Sequence, residues 1–312
     1  MMEAIAGVRR VAVIGAGTIG ASWAANFLAR GLDVTASDPA PEGETFLRRY
    51  VAEAWPVLAR LGLAPDASPD RLAFVGDPLA AVAGADFVQE SGPEREDAKI
   101  ALFRQLDGAL APDAVLASSS SGLLISRLQS ACRHPGRCVI GHPFNPPHLI
   151  PLVEVVGGAQ TSPEAIERAM AFYAGLGKKP IHIRKEVAGH LANRLQAALW
   201  REAVHLVAEG VADVADVDAA IAYGPGLRWA LAGPSLIFHL AGGEGGMKHF
   251  LDHLAPAMQS WMDDLGTTRL TPEVQQAIVK GVAEEAGSRS IADLQRWRDR
   301  KLIDVLKVSD SP

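Results

Sequence analysis

The feature that most constrains this chain is a strand, turn, helix and second strand near its N-terminal end. Val8–Ile14 reads as a strand and runs directly into Gly15-Ala16-Gly17-Thr18-Ile19-Gly20; Thr18–Arg30 has a helical pattern, and Leu32–Ser37 reads as a strand closed by Asp38. Each glycine answers a physical demand. Gly15 permits the tight turn, Gly17 lets a pyrophosphate approach the backbone, and Gly20 lets helix and strand pack closely. The helix N-terminus then offers free amides and the positive end of a dipole to that pyrophosphate. Alone, the hexapeptide is weak evidence, but within this unit it predicts a dinucleotide site. An acid at Asp38 accepts hydrogen bonds from adenosine ribose hydroxyls and repels a 2′-phosphate, so NAD is the expected cofactor.

The same alternation continues downstream. Strands are predicted at Leu72–Val75, Asp86–Gln89, Val115–Ser118, Cys138–His142, Leu149–Val156 and Pro180–Ile183, with helices between them. After Lys185 only helical patterns remain, beginning with Leu191–Glu209. The fold class is therefore α/β, a Rossmann-type doubly wound parallel sheet (residues 1–187) followed by an all-helical C-terminal domain (residues 188–312). A chain of 312 residues with 48% hydrophobic side chains can fill both cores.

Composition excludes several partners. The net charge of −6 gives no reason to expect nucleic acid. Cys132 and Cys138 are too few for a disulfide framework and poorly spaced for zinc, so no metal is expected and both read as thiols of a reducing compartment. There is no run of about 20 apolar residues to span a membrane, and Met1–Gly7 carries no signal-peptide pattern. A cytoplasmic protein is the expectation.

Two residues carry candidate chemistry. His142, in Gly141-His142-Pro143-Phe144-Asn145-Pro146, ends an apolar strand, and strand carboxyl ends face the ligand crevice in open parallel sheets. Glu154 lies inside the otherwise apolar Leu152-Val153-Glu154-Val155-Val156. A lone buried carboxylate is costly, and pairing with a histidine offsets the cost. The pair suits alcohol oxidation: an imidazole takes the hydroxyl proton, and a carboxylate on its other nitrogen fixes the tautomer and stabilises the imidazolium. Four serines, Ser118 to Ser121, come just after the strand residues Val115–Ala117, and Asn193 opens the first long helix of the second domain, within reach of an inter-domain crevice.

With these motifs in view, the chain resembles the 3-hydroxyacyl-CoA dehydrogenase family over essentially its whole length. The carriers are the GAGTIG turn, Gln89-Glu90-Ser91 with Glu94, Lys99, the serine run, GHPFNP, LVEVV and AGHLANRL. The resemblance implies an active site of Ser121, His142, Glu154 and Asn193. It implies Lys99 near the nicotinamide ribose, Glu90 beside the cofactor with Glu94, and a homodimer joined through the helical domain.

The segments Phe87–Ser91, Leu199–Ala203, Gly226–Trp229 and Ser290–Leu294 look more like members acting on small free acids than like fatty-acyl enzymes. The expected substrate is a small L-3-hydroxy acid. If its other end is a quaternary ammonium, it needs a cation for the carboxylate and aromatic faces for the tail. Arg228 is the candidate cation, and Phe144, Trp200 and Trp229 are the candidate aromatics. A short-chain acyl-CoA thioester or a sugar acid are the alternatives. A non-catalytic NAD-sensing role is disfavoured by the intact set of four.

Overall fold

The computed structural model describes residues 5–309, with side chains to 308. The segment Met1–Gly7 lies partly outside the described residues. The chain forms two compact units, Met1–Asn193 and Arg194–Pro312, while the predicted division fell after residue 187.

The first unit contains β1 (Arg10–Ile14), α1 (Thr18–Ala29), β2 (Asp33–Ser37), α2 (Gly43–Leu61), β3 (Leu72–Phe74), α3 (Pro78–Val82) and β4 (Phe87–Glu90). It continues through α4 (Glu96–Ala109), β5 (Val115–Ser118), α5 (Ile125–Leu128), β6 (Cys138–Pro143), β7 (Leu152–Gly157), α6 (Pro163–Gly175) and β8 (Lys179–Ile183). One sheet holds all eight strands in the order β3-β2-β1-β4-β5-β6-β7-β8, so the strand order reverses between β1 and β4. That reversal opens the crevice in which doubly wound sheets bind dinucleotides.

Burial on both faces explains the apolar strands. Val11, Val13, Val34, Ala36 and Phe87 join one core with residues of α1, α2 and α6. Ala12, Ile14, Val88, Leu116 and Ile140 join the other with residues of α3, α4 and α5. The period of two along each strand sorts side chains to opposite faces.

The sheet departs from the expected all-parallel pattern at one place, because β7 runs antiparallel to β6. Only residues 144–151 connect them, and a parallel crossover needs a dozen residues or more. The resulting register sets His142 directly opposite Glu154. This short connection is pinned through its second half. The Ser22 hydroxyl of α1 accepts the His148 amide at 2.9 Å and lies 2.8 Å from its Nδ1. Lys178, just before β8, donates to the Ile150 carbonyl at 3.2 Å and to the Pro147 carbonyl, with its ammonium 5.7 Å from the centre of the Trp23 ring.

The second unit contains α7 (Ala192–Ala208), whose first two residues belong to the first unit, then α8 (Val214–Tyr223) and α9 (Pro225–Trp229). It ends with α10 (Pro234–Ala241), α11 (Gly246–Asp264), α12 (Pro272–Ala286) and α13 (Ile291–Ser309). The short α9 was not anticipated. Asp213 and Thr271 cap α8 and α12 by accepting the amides of Asp216 and Val274. Phe238 stacks on Phe250 with ring centroids 4.7 Å apart, joining α10 to α11. Among the described residues no helix is long and apolar enough to cross a membrane.

Burial, and to a lesser degree Arg30, pushes the Lys178 ammonium down from its ordinary 10.5 to about 7. Between these values the unfolded chain holds a proton that the folded chain has lost, so stability rises with pH across that window. Thermal melts at pH 7 and pH 9 should therefore show the Tm advantage of the wild type over Lys178→Met widening at the higher pH. An identical pH slope in the two proteins would contradict the buried position of this amine.

Candidate active site

The glycine turn has the geometry its sequence demands. Gly15 has φ of +95°, and a side chain there would strike the backbone of Ser91 and Gly92. A Cβ at Gly20 would collide with the Gly15 carbonyl, whereas a Cβ at Gly17 would meet nothing within 4 Å. That open space above Gly17 leaves room for a phosphate to reach the backbone. No side chain caps α1 and no acid occupies its first turn, so the amides at Thr18, Ile19 and Gly20 remain for an anionic ligand. Asp38 accepts the amide of Ala16 at 2.7 Å and that of Ala40 at 2.8 Å. Two bonds use about half of a carboxylate's acceptor sites, leaving capacity for ribose hydroxyls. The residues present fit a dinucleotide.

The loops after β4 and β5 are cross-braced. Glu90, fully buried, takes Lys99 on both carboxylate oxygens (2.6 and 2.8 Å), the Gly92 amide at 2.6 Å and the Ser118 hydroxyl at 2.6 Å. Lys99 also donates to the Gly92 carbonyl at 3.0 Å. Glu94 binds the serine loop through one oxygen, accepting the Ser120 hydroxyl at 2.6 Å and the amides of Ser121 and Gly122 at 3.0 Å each. The Ser119 hydroxyl meets Gln89 and Ser91. Of the four serines, Ser121 alone is exposed, with its hydroxyl engaged by no described residue.

His142 and Glu154 meet as their register requires, Nδ1 lying 2.8 Å from Oε2. The other Glu154 oxygen accepts the amides of Leu191 at 2.9 Å and Ala192 at 2.8 Å. Burial would raise the Glu154 carboxyl, but the His142 hydrogen bond, the two amides and the charge of His142 outweigh it and hold the carboxyl below its usual range. Behind the pair, Gln89 donates to the Gly141 carbonyl at 3.2 Å and accepts the Tyr173 hydroxyl at 2.6 Å. A side chain at Gly141 would displace that tyrosine.

Asn193 donates to the Ser121 carbonyl at 3.3 Å, and Phe144 lies edge-on to His142 at 5.1 Å between centroids. Thus Ser121, His142, Glu154, Asn193 and Phe144 fall together at the strand ends of the first unit. In the second unit Trp200 lies on α7 and Arg228 and Trp229 on α9, all three exposed. Sequence reasoning gave no role to His190, whose ring lies 5.2 Å from that of His142.

A dinucleotide turn and a buried imidazole–carboxylate pair at the carboxyl ends of one sheet define the arrangement of a nicotinamide-dependent alcohol dehydrogenase. Residues 10–187 match the family description "3-hydroxyacyl-CoA dehydrogenase, NAD binding domain", and residues 189–289 match its C-terminal domain. The chain belongs to the 3-hydroxyacyl-CoA dehydrogenase family and is an NAD-dependent oxidoreductase acting on a CH–OH group. It is similar to an L-carnitine dehydrogenase of Streptomyces griseus, 55% identical over 97% of this chain and 90% of that protein. An L-carnitine dehydrogenase of Pseudomonas putida is 50% identical over 99% of this chain and 97% of the relative. Among solved structures, an NAD-dependent 5-formyl-3-hydroxy-2-methylpyridine 4-carboxylic acid 5-dehydrogenase matches with a TM-score of 0.84. It is 32% identical and covers 97% of this chain and 99% of its own.

The steric account of the turn is testable. Gly20→Ala should weaken NADH binding, read by fluorescence titration, by about fivefold or more, because overpacking of about 1–3 kcal/mol must be relieved by moving the Gly15 peptide. Gly108→Ala, where an added Cβ meets nothing within 4 Å, is the matched control. Unchanged affinity in a folded Gly20→Ala protein would contradict this geometry.

Proposed function

We propose that the protein oxidises the 3-hydroxyl of a small free L-3-hydroxy acid, with L-carnitine, converted to 3-dehydrocarnitine, as its substrate. The observation that carries the chemistry is the buried Nδ1-to-carboxylate bond between His142 and Glu154, which leaves Nε2 as the nitrogen able to take a proton. The substrate follows from the relatives named L-carnitine dehydrogenase at about half identity over nearly the whole chain.

NAD, bound at the glycine turn, supplies the hydride acceptor. In this reading Gly15, Gly17, Thr18, Ile19 and Gly20 hold the pyrophosphate and Asp38 the adenosine ribose. Lys99 serves the nicotinamide ribose, held in place by Glu90, while Glu94 keeps the serine loop in position. His142 accepts the hydroxyl proton at Nε2 as C3 gives up its hydride, and Glu154 stabilises the imidazolium. Ser121 and Asn193 donate hydrogen bonds to the substrate oxygens. Arg228 pairs with the substrate carboxylate, and Phe144, Trp200 and Trp229 offer aromatic faces to the trimethylammonium group.

We also propose a cytoplasmic homodimer joined through the helical unit. Tyr223, Leu231, Leu240 and Trp261 are each more than half exposed there. Exposed apolar side chains on that unit are the surface from which an association face is built. The free thiols Cys132 and Cys138 suit a reducing compartment.

The experiment is NADH formation with L-carnitine, L-gulonate and L-3-hydroxybutyryl-CoA side by side, for wild type and His142→Gln. L-Carnitine should be turned over best, and His142→Gln should lower turnover by roughly two to four orders of magnitude with NAD binding kept. Preference for the CoA ester would replace the free-acid reading. Full activity of His142→Gln would overturn the base.

A further inference from the structure

We propose that His190 is a positioning residue of this site, an imidazole that ties the serine loop to the His142–Glu154 pair and presents a hydrogen-bond acceptor beside the His142 ring. The inference rests on the reading of His142 as the base. His190 sits in a tight turn, with φ of +51° after Gly189 at +73°, and its amide donates to the Val187 carbonyl at 3.0 Å. A left-handed conformation is uncommon for a residue with a side chain and persists where the surroundings enforce it.

What enforces it here is a set of bonds on both sides of the turn. His190 Nε2 lies 2.9 Å from the Ser120 carbonyl. A carbonyl only accepts, so Nε2 carries the hydrogen, and in the neutral ring Nδ1 is a bare acceptor. That Nδ1 is buried and has no hydrogen-bond partner. The next two amides along the chain, of Leu191 and Ala192, grip Glu154. One turn therefore holds the carboxylate of the pair, faces its imidazole at 5.2 Å between centroids, and anchors the peptide preceding Ser121.

Burial, more than any neighbouring charge, disfavours a proton on His190. Burial lowers its proton affinity most; the Ser120 bond raises it, the positive charge of His142 lowers it, and Glu154 and Glu94 raise it, with a net result below an ordinary histidine. When His142 takes a proton, the ring beside it is then an uncharged imidazole and not a second cation. Polar groups buried without a partner are uncommon in native proteins, and an acceptor lying beside a ring that becomes positive during turnover has a use for its lone pair.

Two variants and one spectrum test this. His190→Phe keeps a planar ring but loses donor and acceptor, and should lower kcat about tenfold while moving the acid limb of kcat/KM about half a pH unit downward. His190→Gln, whose amide has both a donor and an acceptor, should recover most of that turnover and restore the limb. Equal losses in both variants with an unmoved limb would overturn the proposal, leaving His190 as packing. Imidazole nitrogen NMR of the wild type needs neither variant to fold and reads His190 without turnover, so it is independent of the base assignment. A neutral Nε2–H tautomer is expected from about pH 7 to 8. A protonated ring or an Nδ1–H tautomer in that range would overturn the proposal.

Discussion

Glu154 has no access to water, and a carboxylate in that position must have its acceptors filled or destabilise the sheet that holds it. Leaving such a charge without its partner costs about 3–5 kcal/mol. The chain fills it with three hydrogen bonds: from His142 across the antiparallel register, and from the amides of Leu191 and Ala192 in the turn at the start of α7. The reversal of β7, the left-handed turn at His190 and the orientation of His142 are thus linked through one side chain. Moving any one of them strands the carboxylate.

The same device recurs along the carboxyl edge of the sheet. Asp38 takes the amides of Ala16 and Ala40, Glu90 the amide of Gly92, and Glu94 the amides of Ser121 and Gly122. Each acid stands in or just beyond the end of a strand and satisfies backbone donors of a loop bordering the crevice. Loops with their amides bound to carboxylates are held in place before a ligand arrives, which lowers the ordering cost of binding. The exception is the first turn of α1, where no acid or cap takes the amides. An anionic ligand finds its donors there.

Much of this was legible in the sequence, for physical reasons that differ by element. The glycine turn was readable because Gly15 and Gly20 answer steric demands that no other residue meets. The His142–Glu154 pair was readable because a carboxylate inside an apolar strand needs a partner. The antiparallel turn of β7 was also written in the chain, in a connection too short for a crossover helix, yet the strand patterns alone suggested a uniformly parallel sheet. The amides on Glu154 were not readable, since a backbone donor has no side-chain signature. His190 and Lys178 were equally silent, because their importance comes from a turn conformation and a burial that only tertiary packing creates. Among the serines, composition could not separate four identical side chains. The structure separates them by what each hydroxyl already binds.

If proton removal depends on the pair and not on either residue alone, the losses caused by removing its members must overlap. A double-mutant cycle in kcat/KM with His142→Gln, Glu154→Gln and the combined variant measures that overlap directly. The account predicts that the double variant is no slower than His142→Gln by more than about threefold, because an imidazolium that is never formed cannot be stabilised. Losses that multiply, so that the double variant falls by the product of the two single effects, would contradict it.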